Sequence, residues 1–161
     1  MIVFFWNIRG LANKHSRDVL FNHIKLTSPD VICIAEPMMS PSDFPVSTLR
    51  LFNMEIFAFN LRDGVSKIWI LLKNNFPTPR ICSNSDQEIS LDFTSGSSNF
   101  RITFVYANVN VSARRRLWQL LPSLALSDTP WLIIGDFNAI RGAHERRGGN
   151  PPNNSSCLDF S

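Results

Sequence analysis

Apolar and polar positions in the first 36 residues alternate between two periodicities. Residues 2–6 (Ile2, Val3, Phe4, Phe5, Trp6) form an unbroken apolar run, the pattern of a strand covered on both faces. Asn13 is placed to cap a helix over roughly residues 14–27, in which Leu20 and Ile24, four apart, share the inner face. Ser28-Pro29-Asp30 ends that helix, because the residue before a proline is driven out of the helical region. Val31 to Ala35 is a second continuous apolar run. Strand, helix and strand in this order predict two parallel neighbours in one sheet.

Residues 37–50, with Pro37, Pro41, Pro45 and several serines, read as a surface loop. Beyond them the rhythm is strand after strand, at 55–60, 65–73, 87–93 and 100–107. The breaks are turn-forming stretches such as Arg62-Asp63-Gly64 and Ser95-Gly96-Ser97-Ser98. In 100–106 the alternation is clean, with Phe100, Ile102, Phe104 and Tyr106 on one face. A helix over about 113–121 ending near Pro122 follows, then a buried strand from Trp131 to Gly135. A polar loop runs through Gly148-Gly149 and Pro151-Pro152, after which Asn153 or Asn154 can cap a last helix. Many strands and few helices predict an α/β protein, two stacked sheets with helices outside.

Composition narrows the class. The chain has 161 residues, 44% of them apolar and 18% charged, which excludes a disordered chain and fits one domain with an ordinary core. Cys33, Cys82 and Cys157 are odd in number and lack metal-type spacing, which argues against a disulfide framework and a structural zinc site. Cys33, inside a strand pattern, reads as a small buried hydrophobe. No run approaches the ~18 apolar residues of a membrane span, and the apolar start is too short for a signal peptide. These features predict an intracellular chain that needs no membrane, nuclear if it acts on DNA. Nothing in them names a protein partner.

Charge matters through its distribution. Residues 1–112 are nearly balanced, with ten Lys and Arg against nine Asp and Glu. Residues 113–149 hold Arg114, Arg115, Arg116, Arg141, Arg146 and Arg147 against Asp128, Asp136 and Glu145. Such a patch suits a polyanion, since arginines that neutralise phosphates release counterions. A solvated helix face and loop would carry the same residues.

Candidate chemistry sits where apolar strands stop. Asn7 follows the first strand and Glu36 the second, Tyr106 closes the strand at 100–106, and Asp136 and Asn138 follow the strand at 131–135. Each has an ordinary alternative: a turn or cap for Asn7, an exposed loop for Glu36, a core aromatic for Tyr106, an Asx turn for Asp136. Gathered at strand ends, these amides and carboxylates would make an oxygen-rich pocket suited to a hard cation.

Four segments in order carry a more specific signal: Trp6-Asn7-Ile8-Arg9-Gly10-Leu11, Pro29-Asp30-Val31-Ile32-Cys33-Ile34-Ala35-Glu36, Val105-Tyr106-Ala107 and Ile133-Ile134-Gly135-Asp136-Phe137-Asn138. Together they resemble the endonuclease/exonuclease/phosphatase superfamily, and within it the endonuclease domains of LINE-type retroelements, above all those of plant genomes. Leu117-Trp118 and Glu145-Arg146-Arg147-Gly148-Gly149 are similar to that subgroup too. The resemblance implies a DNase I-like two-sheet sandwich and a phosphodiesterase dependent on Mg2+ or Mn2+ acting on DNA. Carried onto this sequence, it makes Asn7 and Glu36 metal ligands and sets Tyr106 against the scissile phosphate. Asp136 would orient or activate the attacking water, and Asn138 would hydrogen-bond phosphate oxygens. Arg114, Arg115, Arg116, Arg146 and Arg147 are the arginines expected on the phosphate backbone.

The family pattern continues with a further Asp motif and a Ser-Asp-His motif that residues 1–161 do not contain. The resemblance therefore implies a single incomplete domain over 1–161, truncated at its carboxy-terminal side. His15, His23 and His144 match no catalytic position. Three readings stand at this point: a DNA-nicking hydrolase, a non-catalytic remnant that binds nucleic acid, and a hydrolase of another phosphoester, since one fold serves several.

Overall fold

The structure is a computed structural model describing residues 1–125, 128–145, 147, 148, 157 and 160. The opening unit is the expected one: β1 (Val3–Asn7), α1 (Lys14–Thr27) and β2 (Val31–Ala35), with β1 parallel to β2. The Asn13 side chain accepts the His15 N–H at 2.9 Å and caps α1. Ser28 closes the helix in the left-handed region, its N–H donated to the Ile24 carbonyl. Leu20 and Ile24 are buried against Ile32, Ile34, Trp69 and Leu71, so α1 covers the outer face of the first sheet.

Within residues 37–50 the chain is more ordered than a loop. It forms a 3₁₀ turn at Pro41–Asp43 and a short helix, α2 (Val46–Leu51), whose Leu49 joins the core under α1. Prolines that read as breakers instead start these turns, Pro41 at the first position and Pro45 as the cap, where a missing N–H costs nothing. β3 (Met54–Arg62) and β4 (Val65–Lys73) then form an antiparallel hairpin. Asp63 at φ 53° and Gly64 at φ 74° are its two central residues, the backbone pattern of a tight type I′ turn. The first sheet has the order β1-β2-β4-β3.

The second sheet contains β5 (Arg80–Asn84), β6 (Glu88–Ser95), β7 (Ser98–Tyr106) and β8 (Trp131–Asp136), in the order β5-β6-β7-β8. β5 is a strand that patterning did not announce. It is short, bulged between Ile81 and Ser83 and largely exposed, so no alternation marks it. Between β7 and β8 runs α3 (Val111–Leu124), capped by the Asn110 side chain on the Ala113 N–H at 3.2 Å. It extends past Pro122, which sits in its last turn. β7 and β8 are parallel, so the chain contains two strand–helix–strand units, one in each sheet.

The sheets stack face to face. Val31, Cys33, Ile68 and Ile70 of the first meet Ile89, Leu91, Ile102 and Phe104 of the second, with Phe100 and Tyr106 on the same side of β7 as expected. Each large apolar side chain removed from water there stabilises by about 1.5–3 kcal/mol. β1 and β8, which read as strands covered on both faces, are half-buried instead. Each is an edge strand of its sheet among the described residues, flanked on one side only. No disulfide joins any two of Cys33, Cys82 and Cys157. The last helix expected after Asn153 or Asn154 lies outside the described residues. Among the described residues no helix is long and apolar enough to cross a membrane.

Candidate active site

Parallel pairing inside each unit brings strand ends together. Asn7 ends β1 opposite Ala35, one residue before Glu36, and Tyr106 ends β7 opposite Asp136, the end of β8. All four ends emerge at one rim of the sandwich. The crevice beyond the carboxyl ends of parallel strands is where open α/β sheets bind ligands.

Hydrogen bonds join the four residues into one cluster across both sheets. Asn7 Nδ2 donates to Glu36 Oε1 at 2.9 Å and to Asp136 Oδ2 at 2.9 Å. The Tyr106 hydroxyl donates to the same Glu36 Oε1 at 2.7 Å. Asn138 joins through its backbone N–H on Asp136 Oδ1 at 3.0 Å, while its side chain donates to the Ala107 carbonyl at 2.9 Å. Asn7, Glu36, Tyr106, Asp136 and Asn138 are thus within one hydrogen-bonded set, all partly or largely shielded from water.

The local sequence builds this geometry. The segment after β1 runs beside the segment after β2, with N–H groups of Ile8, Gly10 and Leu11 on the carbonyls of Ala35, Glu36 and Pro37 at 3.0, 2.8 and 2.8 Å. Ile8 and Leu11 are buried, which anchors the segment. Glu36 at φ 52° and Asn138 at φ 46° both sit in the left-handed region. For a glutamate that costs roughly 1–3 kcal/mol, and such strain persists where the surroundings over-determine it. Gly135 is required by closeness: a Cβ there would lie 2.1 Å from the Val105 carbonyl oxygen. Phe137 stacks on Trp118 of α3, ring centroids 6.2 Å apart, and Leu117 is buried on Val105 and Ala107. The Leu117-Trp118 pair therefore anchors the loop that carries Asp136 and Asn138.

Burial, and then the hydrogen bond and negative charge of Glu36, push the Tyr106 phenol up to about 12. It keeps its proton at neutral pH and acts as a donor. Two carboxylates meeting on one amide repel each other unless a cation or proton intervenes. Asn7 Oδ1 is buried and has no hydrogen-bond partner among the described residues. Amide and carboxylate oxygens are the kind of donor a hard divalent cation takes. Among the described residues no three or more His, Cys, Asp or Glu gather in one place.

The arginines do not behave as a group. Arg115 and Arg147 are exposed. Arg116 is exposed and pairs with Asp86 at 3.4 Å. Arg114 is only 2% exposed. Its Nη1 donates to the carbonyls of Asn108, Val109 and Asn138 at 3.1, 3.4 and 2.6 Å, beneath the site loops. Arg146 lies outside the described residues. His15 follows the cap of α1, His23 stacks on Phe4 at 5.6 Å, and His144 is exposed beside Glu145. Two supporting side chains escaped the reading of the sequence. Arg62 lies over the Tyr106 ring, and Gln87 accepts the Asn108 N–H at 2.7 Å while donating to the Ala113 carbonyl at 2.9 Å. Their only signal was position, beside a turn and at a strand start.

The two-sheet sandwich flanked by helices, with its rim of amide and carboxylate, is a DNase I-like fold. Residues 4–160 match the Endonuclease/Exonuclease/phosphatase family, and the chain belongs to it. No curated protein matches the chain by sequence. Among solved structures, an AP endonuclease from Archaeoglobus fulgidus superposes with a TM-score of 0.69 at 14% identity, over 92% of this chain and 62% of that one. The endonuclease domain of TRAS1, a telomere-specific non-LTR retrotransposon, gives 0.62 at 12% identity, over 86% of this chain and 60% of that one. The 3′ phosphatase NExo from Neisseria, bound to product DNA hairpin, gives 0.57 at 14% identity, over 86% and 58%. The chain thus spans about three-fifths of the length of the structures it matches.

Proposed function

We propose that this site holds a divalent cation, Mg2+ or Mn2+, and hydrolyses a phosphodiester of DNA, nicking one strand as retroelement endonucleases do. One observation carries the reading. A single amide, Asn7 Nδ2, is shared by carboxylates from two sheets while its own Oδ1 is buried and, among the described residues, unpaired. DNA as substrate is supported by what the similar structures are: an AP endonuclease, a retrotransposon endonuclease domain and a phosphatase bound to a DNA hairpin.

Glu36 and Asn7 Oδ1 would hold the cation, with Asp136 beside them. When bound, it would neutralise charge that builds on the phosphate oxygens, a contribution of several kcal/mol. The chain's own groups supply the rest. Tyr106, held protonated, donates its hydroxyl hydrogen to a phosphate oxygen. Asp136 accepts a hydrogen bond from the attacking water and aims its oxygen at phosphorus. As the water oxygen bonds to phosphorus its proton passes to Asp136, the bond from phosphorus to the 3′ oxygen breaks, and that oxygen takes a proton from solvent water to leave a 3′-hydroxyl. Asn138 donates its amide to a phosphate oxygen. Arg115, Arg116, Arg146 and Arg147 track the backbone, and Arg114 steadies the loops from beneath. A chain acting on genomic DNA would work in the nucleus.

The test is nicking of supercoiled plasmid by the purified chain. Nicks with 3′-hydroxyl ends are expected with Mg2+, and none with EDTA or with Asp136→Ala. A second reading, nucleic-acid binding without cleavage, is favoured by one observation: among the described residues no histidine stands in the cluster. Soluble, folded chain that binds DNA in a salt-dependent way but never nicks above the Asp136→Ala background would select that reading instead.

A further inference from the structure

We infer that Arg62 is a positioning residue for Tyr106, delivered from the opposite sheet to hold the ring and strand end whose hydroxyl reaches Glu36. The inference rests on the proposed role of Tyr106 at the phosphate.

Arg62 is the last residue of β3, and it closes the β3–β4 hairpin opposite Val65. The tight Asp63-Gly64 turn fixes where its side chain starts. From there the guanidinium crosses to the second sheet. Nη2 donates to the Tyr106 carbonyl at 2.7 Å and Nε to the Asp86 carbonyl at 3.1 Å. Its Cζ lies 5.3 Å from the centroid of the Tyr106 ring. The side chain is 11% exposed, and its only acidic neighbour within ion-pair reach among the described residues is Asp86, 3.9 Å away.

Tying two sheets together does not call for this residue. A buried leucine or methionine would pack the gap without a desolvated charge, and replacing a buried ion by an apolar side chain is often neutral or stabilising. Loss of hydration does lower the pKa of Arg62, with Asp86 offsetting part of the effect. A planar fork does what an apolar side chain cannot: it lies flat on a ring while donating in two directions from its edge. Here the guanidinium stands over the Tyr106 ring, Cζ 5.3 Å from its centroid, and one edge holds the Tyr106 backbone carbonyl. Tyr106 is then held at three points: its N–H on Gln87 O at 2.9 Å, its carbonyl and ring on Arg62, and its hydroxyl on Glu36 at 2.7 Å. A lysine would carry the charge without the plane or the second donor direction.

Tyr106 is the only tyrosine of the chain, so protein grown with a fluorinated tyrosine has one fluorine signal, and it reports this ring. The expected wild-type spectrum is one sharp line displaced from its unfolded position. Arg62→Met and Arg62→Lys should both broaden, split or shift that line while circular dichroism stays native. Arg80→Met, which alters an exposed arginine paired with Asp92, should leave it unchanged. In the nicking assay Arg62→Met should lower kcat by ~10-fold or more with KM within about twofold. On a Tyr106→Phe background it should cost nothing further.

A folded Arg62→Met protein with a wild-type fluorine line, or losses that simply add to those of Tyr106→Phe, would overturn the inference. Should Arg62→Met fail to fold, Arg62→Lys carries the same test alone. If the wild-type chain does not nick, the proposed function falls, and the fluorine comparison still decides whether Arg62 positions the ring.

Discussion

Asn7 and Asp136 lie 129 positions apart in the chain and are joined by a 2.9 Å hydrogen bond from Nδ2 to Oδ2. The bond links β1, at one edge of the first sheet, to β8, at one edge of the second, at the rim where their ends meet. Because the same nitrogen also serves Glu36, Asn7 is the residue that holds two carboxylates from different sheets near each other. An amide suits that place: it donates toward carboxylates with one end and offers an acceptor with the other.

Removing the cluster's donor should therefore weaken the chain and change its response to metal. Asn7→Ala loses two hydrogen bonds to carboxylates and leaves Glu36 and Asp136 facing each other. A loss of about 1–3 kcal/mol is expected in EDTA, measured by chemical denaturation. Mg2+ that binds only the folded chain raises the wild-type Tm, with about 2.7 kcal/mol gained at roughly one hundred times Kd. Glu36→Ala should abolish that rise. A Glu36→Ala protein stabilised by Mg2+ as strongly as wild type would place the cation elsewhere.

Gly135→Ala should be among the most damaging single substitutions. The added Cβ would sit 2.1 Å from the Val105 carbonyl oxygen and 2.8 Å from its Cβ, a collision with a neighbouring strand rather than with a mobile tip. Relief requires β8 to move away from β7, which strips Asp136 from its place opposite Tyr106. A loss of ~3 kcal/mol or more is expected, read as insoluble expression or a sharply lowered denaturation midpoint. A Gly135→Ala chain with native stability would mean that the two strands are not held as closely as the structure has them.

Neighbouring arginines on α3 should separate by assay. Arg114→Met removes donors to three backbone carbonyls, including that of Asn138, and should cost about 2–4 kcal/mol of stability. Arg115→Met and Arg116→Met alter exposed side chains and should stay within ~0.5 kcal/mol. In DNA binding the order reverses. Each exposed arginine that meets a phosphate should, when removed, flatten the dependence of log K on log salt by about 0.9. Equal stability losses at 114, 115 and 116 would contradict this division.

How far these features were legible in the sequence follows from range. Short-range chemistry was fully visible: Asn13 as a cap, Leu20 with Ile24 as an inner face, the alternation from Phe100 to Tyr106. The cluster was visible as four strand ends, because a strand that stops on a polar residue exposes it. Which end faced which was not, since that depends on two parallel pairings and a sheet stacking that no local pattern encodes. β5 and α2 stayed hidden because an exposed five-residue strand and a six-residue helix just after Pro45 carry too few apolar positions to set a period. Arg62 stayed hidden for another reason. Beside Asp63-Gly64 it looked like turn surface, and only the second sheet, 44 residues later at Tyr106, gives its guanidinium something to hold.

Acid should weaken the second sheet at its end remote from the cluster. Asp92 receives Arg101 as a fork, Nε on Oδ1 at 2.7 Å and Nη2 on Oδ2 at 3.1 Å, and Arg80 on Oδ2 at 2.5 Å. The hydrogen bond from Arg101, more than the opposing effect of burial, holds the Asp92 carboxyl below its ordinary value. In the unfolded chain the group returns to that ordinary value, so at low pH the unfolded state binds the proton first. The sign follows. The stabilisation is fully present above the unfolded value, near pH 4, and is lost as pH falls through the lower folded value. Asp92→Asn should be less stable than wild type by about 1–2 kcal/mol at neutral pH, because Arg101, only 6% exposed, keeps weaker acceptors. The gap should close on acidification below about pH 4, as the wild-type carboxyl takes up its proton. Urea unfolding of both proteins across the acid range measures it. A gap that stays constant down to pH values where the carboxyl is neutral would mean that the Arg101 fork contributes shape alone, and that its charge pairing adds nothing to the stability of this sheet.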